Sequence, residues 1–463
     1  MNTRKFPESF IWGVAAASYQ VEGAVEADGR GPSIWDTFSH TPGNVLHGHT
    51  GDVSADQYHR YLEDVALMRE MGAHSYRFSI AWPRVQPDGH GAFNEKGFDY
   101  YKRLADELHH NGLTAAATLY HWDLPQALEN AGGWPVRDTA LRFAEYSREA
   151  FRVLGDHVDL WITLNEPWCS SVLGYHNGVH APGRHDRSAS WAAGHHLLLG
   201  HGLAMEAYRA ERGSGEDVAP IGITHNLESA RPATTRSEDW EAVDRATDMR
   251  TRFFLDPLLG RGYPERHFSA YPESTPPPVQ AGDMEVIAAP IDFLGLNFYY
   301  EPALTATPVG PEGSSQDGVA CHPEGFREVP TYHERTEMDW PVTPRGLYRH
   351  LKWVWAHTEG RFPLFITENG CAVPDELSAD GLRCHDPRRV AYLREHFSAA
   401  LDAIEDGVDL RGYYVWSLID NFEWAFGYTK RFGIIYADYI NQRRVPKDSY
   451  YFMREVISGA EAL

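Results

Sequence analysis

WITLNEPW, residues 161–168, is the stretch whose reading decides the fold. Trp161, Ile162, Thr163 and Leu164 form an apolar, partly β-branched run without polar alternation, the pattern of a strand covered on both faces. Asn165, Glu166 and Pro167 then end it abruptly. The design returns at LFITENG, residues 364–370, where the run closes on Thr367, Glu368, Asn369 and Gly370. Pro167 predicts an extended backbone at Glu166, which would keep the chain from winding at once into a helix.

Working outward, similar runs recur at IWGVAAAS (11–18), SYRFSI (75–80), TAAATL (114–119), IGITHN (221–226), IDFLGLNFYY (291–300) and YYVWSL (413–418). Helical spacing fills the intervals. Residues 56–71 set Tyr58, Tyr61, Leu62, Val65 and Met68 on one face before Gly72. Residues 98–110 space Tyr100, Leu104 and Leu108 four apart before Asn111-Gly112. Residues 138–154 stop at Gly155, and Val390, Leu393, Phe397, Leu401 and Ile404 keep the period before Gly407. Buried strands alternating with helices imply a parallel sheet. Eight such units predict an α/β chain folded as a single (β/α)8 TIM barrel over residues 1–463, with extended loops at the carboxyl ends of the strands. A typical barrel has about 250 residues, so roughly 200 are insertions. The clearest is the polar, Gly/Pro-rich segment 301–344.

The bulk numbers agree with one large barrel as well as with two to four average domains. Of 463 residues, 43% are hydrophobic, and the formal charge of −23 repels nucleic acids and anionic membranes. Cys169, Cys321, Cys371 and Cys384 form no CxxC, and they read as reduced thiols of a cytoplasmic protein. Arg4 and Lys5 before IWGVAAAS imitate a signal peptide, but Pro7, Glu8 and Ser9 interrupt it, so a first barrel strand is the better reading. No apolar run is long enough to span a membrane. HHLLLGHGLA, residues 195–204, is the densest histidine cluster, and its spacing fits a helix rather than a metal site.

In such barrels the active site lies at the carboxyl ends of the strands. Glu166 and Glu368, ending the fourth and seventh, therefore face one pocket. Two facing carboxylates are the minimum kit for glycoside hydrolysis: about 5–5.5 Å apart they give retention, about 6.5–9.5 Å apart inversion. Other strand ends add Gln20 and Glu22, Arg77, His121-Trp122-Asp123, Asn297 and Tyr299, and Trp416 followed by Glu423-Trp424. A sugar uses such a mixture, polar partners for its hydroxyls and an indole for its C–H face. Taken singly, each has a plainer role: Trp416 and Tyr299 as core aromatics, Arg77 as a buried ion-pair partner.

Together TLNEPW, FITENG, SYQVEG, RFSIAWPR, YHWDLP, NFYY and NFEWAFGYTKRFG resemble, in order and over nearly the whole chain, the retaining β-glycosidases of glycoside hydrolase family 1. The resemblance implies an exo-acting β-glucosidase with some galactosidase or fucosidase activity. It implies Glu166 as acid/base and Glu368 as nucleophile. Asn165 would bind the 2-hydroxyl, and Gln20, His121, Trp122, Glu423 and Trp424 would hold the rest of the sugar above Trp416. Tyr299 would donate to Glu368, Arg77 would keep it ionised, and Asn297 would support both. The aglycone side falls to loops carrying Cys169, His180 and Trp340. The implied partner is a small β-glucoside or oligosaccharide, with no cofactor and no metal, and the oligomeric state stays open. For Glu166 to start protonated, apolar neighbours Trp161 and Trp168 and the charge of Glu368 must raise its pKa. A 6-phospho-β-glycosidase and a silent sugar-binding protein are the alternatives. Glu423 in place of a serine opposes the first, and the presence of both glutamates opposes the second.

Overall fold

The computed structural model describes residues 4–461 except 216, 311–313 and 317. Its centre is a closed barrel of eight parallel strands: β1 (Ile11–Ala15), β2 (Ser75–Ser79), β3 (Thr114–Tyr120), β4 (Leu160–Asn165), β5 (Ile221–His225), β6 (Phe293–Asn297), β7 (Leu364–Asn369) and β8 (Leu410–Trp416). Each pairs with its neighbours in chain order, and β8 closes on β1. All eight fall on the runs read from the sequence, the N-terminal one included. The outer layer holds α1 (Gln57–Met71), α2 (Glu95–His110), α3 (Arg137–Leu154), α4 (Arg187–Arg212), α5 (Ser237–Thr247), α6 (Pro344–His357), α7 (Pro387–Glu405) and α8 (Asp448–Ile457).

The period of two explains why the strands are buried on both faces. One set of side chains, such as Trp12, Val14, Tyr76, Trp161, Ile223 and Val415, packs outward against the helices. The alternate set, including Ala15, Ala116, Ile162, Phe293, Phe365 and Tyr414, fills the barrel. Space inside is rationed by small residues. A side chain on Gly13 would begin 2.3 Å from the Tyr414 ring. The helices follow the same logic, with one departure. Leu62 of α1 is 53% exposed, so the buried stripe of that helix runs through Tyr58, Val65 and Met68 and leaves Leu62 on its solvent edge. Among the described residues, no helix is long and apolar enough to cross a membrane.

Segment 301–344 is less formless than its composition suggests. Ala303–Ala306 pairs antiparallel with Phe326–Val329 and parallel with Arg231–Pro232, and Leu304 and Phe326 bury a small core against Ala242 and Ala246 of α5. The histidine-rich stretch lies within α4. There His195 bonds Asp283 and Tyr263, His196 bonds the Trp134 carbonyl, and His201 bonds Thr163 of β4.

The loops after β7 and β8 are fastened by a buried ionic cluster. Lys447 Nζ reaches Asp375 at 2.5 Å and Asp420 at 2.8 Å, and Arg389 pairs with Asp375 and Asp386. Lys447 and Asp420 are fully enclosed. Breaking such a cluster strands a charge away from water. Lys447→Ala should therefore lower stability by about 3–5 kcal/mol, read as a fall in the urea unfolding midpoint; an unchanged midpoint would show that the cluster does not hold these loops.

Candidate active site

The upper end of the barrel interior turns polar. Arg77 of β2, Thr118 of β3, Asn165 of β4, Thr224 of β5, Asn297 of β6 and Thr367 of β7 are all buried there. Arg77 organises this layer. Its Nη1 donates to Glu368 Oε1 at 2.6 Å and to the Thr367 carbonyl at 3.0 Å, its Nη2 to Asn165 Oδ1 at 2.7 Å, and its Nε to Thr118 at 3.3 Å.

Glu166 follows β4 with φ of +47°, in the left-handed region that non-glycine residues rarely occupy. The extended backbone expected from Pro167 is not what the chain adopts. The Glu166 N–H donates to the Thr224 carbonyl at 2.9 Å, while its own carbonyl accepts from the Cys169 N–H at 2.9 Å. The residue thus finishes the sheet and starts the Cys169–His176 helical turn in one step. Such a conformation costs about 1–3 kcal/mol and survives because its surroundings hold it. Its carboxylate accepts from Asn297 Nδ2 at 2.5 Å and from Cys169 Sγ at 2.9 Å. The same Asn297 amide lies 3.0 Å from Asn165 Oδ1.

Glu368 belongs to β7, and the register of β7 against β6 slips between Ile366 and Glu368. A bulge of this kind re-aims a side chain. Glu368 receives Tyr299 OH at 2.7 Å besides Arg77. Gly370, the glycine of TENG, is required by a close approach: a side chain there would begin 1.7 Å from the Trp416 carbonyl oxygen.

A cavity of about 430 Å³ opens over this layer, lined by Glu166, Glu368, Trp416, Glu423 and Trp424 among others. His121, Trp122, Asn297, Tyr299, Cys169, His180 and Trp340 also face it. Arg77 and Asn165 stand behind its wall. Trp122 donates from Nε1 to the Asn165 carbonyl at 2.9 Å. Trp340 stacks on Tyr300 at 5.6 Å. Gln20 is anchored through Nε2 to the Phe422 carbonyl at 2.9 Å.

Among the described residues, the enclosed polar atoms around the cavity without a hydrogen-bond partner include Gln20 Oε1, His121 Nδ1, His180 Nδ1, Glu228 Oε1 and Glu423 Oε2. His121 Nε2 lies 3.0 Å from the Asn165 amide nitrogen, which makes Nε2 the acceptor and Nδ1 the N–H donor. Burial keeps this imidazole neutral by holding its pKa well below the usual value. The cavity therefore presents unused acceptors and a donor beside an indole. That set suits a ligand with several hydroxyls.

The carboxylates divide by surroundings. Burial, and then the charge of Glu368, push Glu166 up to about 8. Burial raises Glu368 too, and that rise is opposed first by Arg77 and then by the Tyr299 hydroxyl. Glu166 is accordingly the member of the pair that keeps its proton. Of the expected apolar neighbours, Trp168 lines the cavity. Trp161 does not, because the strand period turns it outward onto Phe151 of α3, ring centroids 5.0 Å apart. Glu22 also lies elsewhere in function: it pairs with Arg84 and accepts from Tyr101. Sequence reasoning missed Asn226, one residue past β5, whose amide reaches Cys169 Sγ at 3.3 Å. Its place just beyond a strand end was the available signal.

Comparison with known proteins places this geometry in context. Residues 2–462 match the model of glycosyl hydrolase family 1. The chain is 46% identical over 461 residues to beta-glucosidase A of Thermotoga maritima, covering 99% of each. It is 44% identical to a bifunctional beta-D-glucosidase/beta-D-fucosidase of Bifidobacterium breve, covering 99% of this chain and 100% of the other. Among solved structures, the Thermotoga maritima beta-glucosidase in complex with deoxynojirimycin superposes with a TM-score of 0.92 at 44% identity, covering 99% of this chain and 100% of that one.

The two donors that act on single carboxylates can be removed separately. Cys169→Ala takes one donor from Glu166, and Tyr299→Phe takes one from Glu368. Each substitution should raise the titration of its own glutamate, followed by ¹³C NMR of labelled glutamate carboxyls. A shift at the wrong glutamate, or at neither, would refute these pairings.

Proposed function

The chain belongs to glycosyl hydrolase family 1, and we propose that it works as an exo-acting, retaining β-glucosidase in which Glu166 is the acid/base and Glu368 the nucleophile. The observation that carries this reading is the asymmetry of the buried pair. Glu368 is held by a guanidinium and a phenol, and Glu166 by two weaker donors, an amide and a thiol. The substrates are terminal β-D-glucosyl groups on aryl or alkyl aglycones, cellobiose or short cello-oligosaccharides. Fucosides and galactosides follow as secondary substrates, in line with the bifunctional relative.

The reaction runs in two displacements. A Glu368 oxygen attacks C1 of the sugar while the Glu166 proton passes to the glycosidic oxygen, so the C1–O bond breaks and the aglycone leaves as an alcohol. The glucosyl ester on Glu368 carries no charge, which removes the like charge that had raised the Glu166 pKa. Glu166, now the stronger acid, is ionised and takes a proton from water. The hydroxide attacks C1, Glu368 is released as carboxylate, and the β-configuration is restored.

In the glycone part of the cavity, Gln20 Oε1 and Glu423 Oε2 accept from sugar hydroxyls, the His121 Nδ1–H donates to one, and Trp416 supports the ring. The aglycone lies toward Trp168, His180 and Trp340. Phosphorylated sugars are disfavoured, because Glu423 faces the cavity and the Lys430 ammonium is engaged with the Glu337 carbonyl at 2.6 Å. One catalytic barrel carries the whole activity in this reading. The four unpaired cysteines fit a reducing, cytoplasmic setting.

Rate–pH profiles test the assignment. The protonated acid must be present, so kcat/KM should fall as pH rises through a value of about 8, where Glu166 loses its proton. Glu166→Ala should slow hydrolysis of unactivated glucosides by about 10²–10⁴-fold, with a smaller loss on dinitrophenyl glucoside, whose leaving group needs no proton. In Glu368→Gly, azide should restore turnover and yield α-glucosyl azide. Wild-type turnover in that variant, or a β-azide product, would overturn the nucleophile assignment.

A further inference from the structure

A second cavity, of about 150 Å³, adjoins the first on the far side of Trp168. That is about the liquid volume of five waters, room for one sugar ring. Trp168 and Arg250 line both cavities, so the two are neighbours across a shared wall. The proposed reaction uses none of the rest of its lining.

The chamber combines aromatic walls with unsatisfied polar atoms. Trp191 and Phe253 supply apolar surface. His267 and Tyr271 line it as well, only 7% and 4% exposed; the Tyr271 hydroxyl is within reach of Glu324, and the His267 Nδ1 has no hydrogen-bond partner. Arg187 is clamped: its guanidinium lies 3.4 Å from the Tyr271 ring centroid and its Nη2 3.3 Å from His176 Nε2. Its Nη1 is nevertheless enclosed and unpaired. Enclosed donors and acceptors without a protein partner are met by ordered water or by a ligand.

Charge decides what that is. Arg250 is paired with Glu228, and Glu324 stands in the same wall as Arg187. The chamber's own lining holds two guanidinium groups and one carboxylate, and Glu228, which lines the first cavity, meets the Arg250 charge, so no excess positive charge is left for a phosphate or carboxylate ligand. A donor-and-acceptor set beside aromatic faces, with charge balanced, suits a neutral polyhydroxyl compound.

We propose that this chamber is a second binding site, for a neutral monosaccharide such as free glucose, distinct from the cavity that holds Glu166 and Glu368. It goes beyond the glycosidase reading and does not depend on it.

Ligand-observed NMR titration with D-glucose, run with and without saturating deoxynojirimycin, tests the site in the wild-type enzyme, in Ser190→Phe and in Arg187→Met. Ser190 is buried in the chamber lining, so phenylalanine there fills the space. Arg187→Met keeps the contact with Tyr271 and removes the unpaired donor. Turnover of an aryl glucoside checks that both variants fold. The expected result is saturable glucose binding that persists under the iminosugar, disappears in Ser190→Phe and weakens about tenfold in Arg187→Met, the loss of roughly one charged hydrogen bond. Glucose binding abolished by deoxynojirimycin, or unchanged in both variants, would overturn the proposal. Inhibition of aryl glucoside hydrolysis by deoxynojirimycin is read separately. Its absence would count against the glycosidase reading and leave the chamber result standing.

Discussion

The Arg77 guanidinium is the constraint around which the active end of the barrel is arranged. A buried charge is costly unless it is paired and its remaining hydrogens are satisfied. Arg77 meets that demand by reaching from β2 to β3, β4 and β7. The residues it recruits are the ones the proposed chemistry needs. Glu368 becomes its counter-ion, and Asn165 is fixed beside Glu166. Taking Arg77 away would leave Glu368 buried without compensation, and the cheapest response of such a carboxylate is to take up a proton. A protonated Glu368 could not attack. In the proposed reaction, one interaction would thus serve both the buried charge and the ionisation of the nucleophile.

Apart from the Arg250–Glu228 pair at the edge of the cavity, Arg77 is the one guanidinium close to the carboxyl groups of Glu166, Glu368 and Glu423 among the described residues. Burial pushes Glu423, like Glu166, up to about 8, with the charges of Glu368 and Glu166 adding to the effect. The raised pKa values of Glu166 and Glu423 favour protons on both, which concentrates negative charge on Glu368 beside Arg77. For Glu166 that is the form an acid catalyst requires. For Glu423 it makes a pure acceptor into a group that both donates and accepts, until sugar hydroxyls arrive to favour the anion. Proton placement in the empty cavity is then a property of crowding and burial, set before any substrate binds.

Much of this was legible in the amino-acid order because a parallel barrel writes itself plainly. Strands buried on both faces lose their polar alternation, and all eight apolar runs became barrel strands. The glutamates stood out because carboxylates do not belong at the end of such runs. What resisted reading depends on direction. Trp161 is a near neighbour of Glu166 in sequence and faces the opposite side of the sheet, since the strand period outranks proximity. The hairpin at Ala303–Ala306 and Phe326–Val329 was hidden by a polar, glycine-rich composition, because only one of its faces meets a core. The chamber behind Trp168 draws its lining from segments far apart in the chain, and no local pattern announces such a meeting.

The departures from regular geometry explain how the two carboxylates come to face each other. Strand pairs β1–β2, β2–β3 and β5–β6 run in unbroken register. The register slips fall on β4, against β5 between Ile162 and Asn165, and on β7, against both β6 and β8 just before Glu368 and Asn369. These are the strands that deliver Glu166 and Glu368. A regular strand offers only two directions for a side chain, into the barrel or out of it. Aiming a carboxylate across the rim at a partner three strands away needs a direction between those two. A bulge supplies that turn within β7. On β4 the slip is followed by the left-handed backbone of Glu166, which lifts the side chain as the chain leaves the sheet. A further slip of β7 against β8, between Leu364 and Phe365, lies at the other end of the strand; the slips at the rim, before Asn165 and beside Glu368, are the ones a rim built around those glutamates requires.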